Sequence, residues 1–176
     1  MQISIIGTYH AYQLSGHGNC SWEQFRGFVR SFVERGDFDL LAEEMSAEAI
    51  AMCADVGVSG SVLNELASEH TIMHLFADPN AQERDALGIG GSSDLPKETQ
   101  EKIREQEWLR RITQTPNTTR VLFVIGANHV SSVVRQLRQE GHAVEEVVCG
   151  WYNPSDKIFL LKEADCRMPP VLRANP

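Results

Sequence analysis

Residues 120–130 read RVLFVIGANHV. From Val121 to Ile125 every side chain is apolar, Gly126 closes the run, and His129 follows three residues later. A strand that is apolar at every position, not at alternate ones, is covered on both faces. That is the pattern of a parallel sheet held between layers of helices. From Val130 to Gln139 the apolar residues return with helical spacing until Gly141, so the segment predicts strand, tight exit and helix.

Working outward, the same unit recurs. QISIIG (2–7), FDLLAEE (38–44) and TIMHLFAD (71–78) are short apolar runs ended by Gly7, by two carboxylates and by Asp78-Pro79. Further strands are predicted at 143–149 and 157–162. Between them, Trp22, Phe25, Phe28, Val29, Phe32 and Val33 make one stripe of a helix from Trp22 to about Glu34, with Ser21 as its cap. Helices are also expected over 46–56, 61–69, 80–87 and 130–139, and over a long charged stretch at 97–113 capped by Asp94 or a neighbour. Segments 8–20 and 88–96 are rich in Gly, Ser and Asn or Pro and read as loops, the second as a hinge or lid. The alternation predicts an α/β fold: one domain over 1–176, an open, mostly parallel sheet with helices on both faces, an antiparallel edge from the last strand, and an irregular tail at 166–176.

Composition narrows the function. The chain has 176 residues, of which 42% are hydrophobic and 23% charged, enough for one globular core. Acidic residues number 24 against 16 basic ones, for a net charge of −8. A surface of that sign repels phosphate backbones, which argues against nucleic acid as the partner. No apolar run approaches the ~20 residues of a membrane span. MQISIIGTYH lacks the basic start of a signal peptide, so the expectation is a cytoplasmic protein. Cys20, Cys53, Cys149 and Cys166 form no CxxC pair and read as free thiols.

In an open α/β sheet, ligands bind beyond the carboxyl ends of the strands. Those ends carry His10, the pair Glu43 and Glu44, Asp78, and His129. Both histidines follow a strand-ending glycine by three residues: IGTYH at 6–10 and IGANH at 125–129. Taken singly, each His serves as well to cap a turn or a helix start. Converging with a carboxylate, they suit a divalent first-row metal, and they suit metal-free acid–base work equally. His10, His129 and one of Glu43 and Glu44 are the candidate ligands, with Asp78 as a further one. Along a strand Glu43 and Glu44 point to opposite faces, so only one faces the site. Arg104 is the candidate to anchor that carboxylate or clamp an anionic substrate group. The helix bearing it otherwise reads as a solvated face, with Lys102 and Glu105 spaced as a surface pair. Glu83-Arg84-Asp85 reads as an exposed face. His74 reads as a core residue, and neither it nor His17, His70 and His142 has a carboxylate-bearing neighbour pattern.

The stretches IIGTYH (5–10), LLAEEM (40–45), REQEW (104–108) and VLFVIGANHV (121–130) occur in an order that resembles the TraB/PrgY–Tiki–ChaN–erythromycin esterase superfamily. The resemblance implies an α/β fold with the paired histidines and a glutamate at one site. Members of that group include metal-dependent proteases, an esterase that opens macrolide lactones, and a haem-binding lipoprotein. Residue by residue it implies His10, Glu44, Arg104 and His129 as the functional set. Glu105 stands where the group usually has Asp, and Trp108 where it frequently has Met. The expected function is hydrolysis of an ester or amide-type bond in a small-molecule or peptide substrate. A divalent metal ion, or the side chains directly, would activate the water. Two rivals are a binding protein that uses the same cleft without turnover and an acidic protein-interaction module.

Overall fold

The computed structural model describes residues 1–16 and 21–153. The first half runs β1 (Gln2–Thr8), α1 (His10–Gln13), β2 (Leu14–Ser15), α2 (Trp22–Val33), β3 (Leu40–Glu43), α3 (Ala47–Met52), β4 (Gly60–Ser61) and α4 (Val62–His70). The second half runs β5 (Met73–Phe76), α5 (Ala81–Ala86), α6 (Lys97–Thr113), β6 (Arg120–Gly126), α7 (Val130–Gln139) and β7 (Ala143–Trp151). Five strands form one sheet in the order β5-β3-β6-β1-β7, each parallel to its neighbours. The fold is therefore the α/β class expected from the sequence.

Side-chain alternation along each strand builds two cores. Ile3, Ile5, Leu40, Ala42, Val121, Phe123 and Ile125 pack on one face against Trp108, Leu109 and Ile112 of α6 and Val130, Val133 and Leu137 of α7. Ile6, Leu41, Leu122 and Val124 pack on the other against Phe25 and Val29 of α2 and Val62 and Leu66 of α4. Central β6 is buried from Val121 to Gly126, which accounts for its unbroken apolar sequence. Each such side chain contributes ~1.5–3 kcal/mol by leaving water.

Three expectations change in detail. The segment read as a loop at 8–20 contains α1 and β2. Tyr12 of α1 is fully buried, its ring edge-on to Trp151 at 5.0 Å, and β2 pairs antiparallel with β4. These elements are too short for periodicity to reveal and are held by packing. Helix α6 starts at the expected residue, but Pro96 holds the cap position and no side chain, Asp94 included, caps it. Both edges of the described sheet, β5 and β7, are parallel. The strand expected at 157–162, with its antiparallel edge, and the tail lie outside the described residues, as do His17, Cys20 and Cys166. Cys53 and Cys149 are free thiols, both partly buried. Among the described residues no helix is long and apolar enough to cross a membrane.

Candidate functional site

With every strand of the sheet running the same way, the carboxyl ends of β1, β3, β5 and β6 open on one rim. Backbone hydrogen bonds continue past the strands and fix what stands there. The Glu44 N–H donates to the Val124 carbonyl at 2.9 Å, and the Asp78 N–H donates to Met45 at 3.2 Å. His10 opens α1, and His129 ends a short 3₁₀ turn, Ala127–His129, between β6 and α7.

Glu44 is the centre of this rim. It is 1% exposed, and its Oε2 accepts the Gly126 N–H at 2.7 Å. Its Oε1 is approached by Arg104 Nη2 at 3.3 Å, His10 Nε2 at 3.5 Å and His129 Nε2 at 3.7 Å. A carboxylate this deep persists only when paired, and Arg104 supplies the cation. Arg104 in turn donates through Nε to Asp78 Oδ1 at 3.1 Å and lies over the Trp108 ring at 5.2 Å. Trp108 is fully buried and donates its Nε1–H to the same Asp78 oxygen at 2.9 Å. The other Asp78 oxygen takes Arg84.

The two histidines differ. The His10 side chain is 52% exposed at the mouth of the site. His129 is 13% exposed and wedged edge-on to Trp108 at 5.1 Å, with its Nδ1 2.8 Å from Glu105 Oε1. Glu105 is itself buried, its second oxygen accepting Ser132 Oγ–H at 2.7 Å and Gln136 Nε2–H at 2.8 Å. Burial opposes a charge on His129. The Glu105 hydrogen bond and the charges of Glu44 and Glu105 outweigh it, and the imidazole pKa is raised. Burial likewise works against ionised Glu105, but the bonds from His129, Ser132 and Gln136 hold its pKa below the ordinary value.

The two matching glycines do different work. A Cβ on Gly126 would stand 3.0 Å from both Glu44 Oε2 and His10 Nε2, inside the site. A Cβ on Gly7 would fall 1.8 Å from the Cys149 carbonyl oxygen, so Gly7 serves the approach of β7 and not a ligand.

The structure thus brings His10, Glu44, Arg104 and His129 together. Asp78 joins them as a brace for Arg104, its oxygens turned to Arg104, Trp108 and Arg84 and not to the histidines. Glu43 does not join them. It points to the opposite face, where it takes Ser61 Oγ–H and lies 2.7 Å from His74 Nε2. His74 therefore does have a carboxylate partner, contributed by the adjacent strand. Glu105 and Trp108 are positioning residues that a reading of the helix as solvated passes over. Lys102 and Glu105 form no pair, because Glu105 turns inward. Arg84 likewise reaches inward to Asp78, and Glu83 caps α5 and pairs with Arg111.

Two imidazoles and a carboxylate are donor types that a first-row divalent ion takes. In the described residues, however, no three His, Cys, Asp or Glu side chains are grouped to hold a metal ion. Arg104 stands on the oxygen the histidines share, and Gly126 takes the other, so the donors as they stand do not enclose an ion. Beside the rim, a groove of about 570 Å³ runs between α3, α5 and the 88–93 segment, with Ser46, Arg84 and Ile89 among its walls. The segment read as a hinge or lid forms one wall of that groove. Ile89 is buried, and Ser93 Oγ–H donates to the Gly88 carbonyl at 2.6 Å.

No family model matches this chain, and comparison with curated proteins and with solved structures gives no match either.

Proposed function

We propose that this rim is the active site of a hydrolase acting on an ester or amide-type bond of a small-molecule or peptide substrate. The observation that supports it is the convergence of two imidazole nitrogens and a guanidinium on one oxygen of a buried carboxylate. His10, at the exposed mouth, takes the proton from an attacking water. Glu44 offsets the charge that forms on His10, as a carboxylate does for a histidine base. Arg104 stabilises the oxyanion that develops on the substrate carbonyl, joined by His129 in its protonated form. His10 then returns its proton to the leaving oxygen or nitrogen. Glu105 and Asp78 keep His129 and Arg104 in place.

A second reading places a divalent metal ion with His10, Glu44 and His129, and it is favoured by the donor types alone. A bound ion of this kind lowers the pKa of a coordinated water toward ~7.

The test is turnover of a panel of activated aryl esters and short peptides by the purified protein. His10→Ala should cost at least ~100-fold in kcat/KM and leave the melting temperature within about 2 °C, since surface changes away from a core are nearly neutral. Absence of turnover, with a ligand retained in the cleft, would replace the hydrolase by the binding protein. Elemental analysis of unchelated protein decides the second reading: roughly one equivalent of metal, lost in His10→Ala, would establish it.

A further inference from the structure

Beyond the rim, the distribution of unpaired charge points to another site. Among the described residues, Lys102 of α6 and Arg135 of α7 have neither an ion pair nor a hydrogen bond to a carbonyl. Every other described Lys or Arg faces a carboxylate or a carbonyl oxygen. In a chain of net charge −8, these two exposed cations line the same groove. It lies between α6 and α7 and has a volume of about 390 Å³. Gln106 and Gln139 add amide donors to its walls. The one carboxylate there, Glu140, lies 3.7 Å from His142.

We propose that this groove binds a phosphate oxyanion, free or as the phosphate group of a small-molecule ester. Arg135 offers the planar fork that matches two oxygens, and Lys102 a point charge for a third. The Ser132 hydroxyl and the Gln136 amide also line the groove, but their donors are turned to Glu105 and, from Gln136, to Ser132 Oγ. The volume exceeds what one phosphate fills, so the amides of Gln106 and Gln139 are available to a polar organic portion.

The groove also has a defined connection to the rim. Ser132 and Gln136 are the residues whose side chains donate to Glu105 Oε2, and Glu105 holds His129. An oxyanion that draws the Gln136 amide toward itself takes a donor from Glu105. Occupancy of the groove is thereby coupled to the seat of His129 through one hydrogen bond. The binding itself does not depend on the hydrolytic reading.

The experiment is an NMR titration of the labelled protein with inorganic phosphate and, separately, with glycerol phosphate, at constant ionic strength. Expected are saturable shifts confined to residues 102–106 and 132–140 and to the Gln136 side-chain amide. Lys102→Gln and Arg135→Gln should each weaken binding by at least ~10-fold, as loss of a charge-assisted contact does. Tighter binding of the ester identifies an organic phosphate as the ligand, and equal binding identifies free phosphate. Both residues stand on the surface, and the fold of each variant is checked by its unperturbed core resonances. Shifts that do not saturate, or that persist unchanged in the double variant, would overturn the proposal.

Discussion

Gly126 shows how a single residue serves both the backbone and the chemistry. Its N–H fixes Glu44 Oε2, and its missing side chain leaves room between that oxygen and His10 Nε2, which approaches Oε1. Gly126 has φ −60°, a conformation open to alanine. Gly126→Ala should therefore fold, with a stability change of about 1 kcal/mol, and, if the rim is the proposed hydrolytic site, lose ~100-fold in turnover because the new methyl stands between Glu44 and His10. Kinetics and thermal melting of one preparation check both halves. Glu105→Gln separates position from charge. The amide can still bond to His129, but the charge that raises the imidazole pKa is gone, so the His129 ring resonances should titrate at lower pH in metal-free protein. Since folding raises that pKa, the stability His129 adds is whole below about 6.5. It is lost as pH rises through the folded-state value, and the loss should shrink in Glu105→Gln. The histidines and the Glu43-Glu44 pair were legible because strand ends and glycine spacing mark them, whereas Arg104 and the choice of Glu44 came from the family resemblance. The inward turn of Glu105 was not legible, since one charged residue among many on a helix gives no sign of which way it points.

At the scale of the element, α6 carries the most varied duties. It sends Arg104, Glu105 and Trp108 to the rim and ties α5 through Arg111 to Glu83. Glu107 bonds to Arg110 and Arg111. The bond from Arg110 is the main cause that draws its carboxyl down to about 2, with burial opposing. Trp108→Phe keeps most of the apolar burial and removes the donor to Asp78. It should cost ~1–3 kcal/mol, the penalty for a buried polar group losing its partner, read from urea unfolding. Turnover should fall as well, because Asp78 is the brace of Arg104. The limits of this helix were readable from its uninterrupted polar helix formers after Pro96. Its inward face was not, because most of what it buries is charged or aromatic and not the aliphatic stripe that periodicity detects.

For the molecule as a whole, the acidic composition has a consequence for pH. Asp39 is held low by Thr119 hydrogen bonds, Glu83 by the Asn80 N–H, Glu105 by His129, Ser132 and Gln136 against burial, and Glu107 by its arginines. Carboxylates depressed in the folded state add stability above their unfolded pKa, 3.8 for Asp39 and 4.5 for the glutamates, and lose it as pH falls through the folded values. The urea midpoint should therefore be flat from about pH 6 to 5 and fall steeply between about pH 4.5 and 2. A midpoint indifferent to acid would show these contacts to be energetically idle. The layered architecture was legible because β6 is apolar throughout. The strand order was not, because β1 lies between β6 and β7, its partners at the far end of the chain, and no local pattern encodes that neighbourhood. Gly7 makes this long-range arrangement brittle. The border ribbon β7 sits against bare backbone there, and even one methyl group would prise it loose. That would strip β1 of its outer neighbour and leave a row of unmatched amides open to pairing with another copy, so injury at this glycine would surface as clumping before any loss of chemistry.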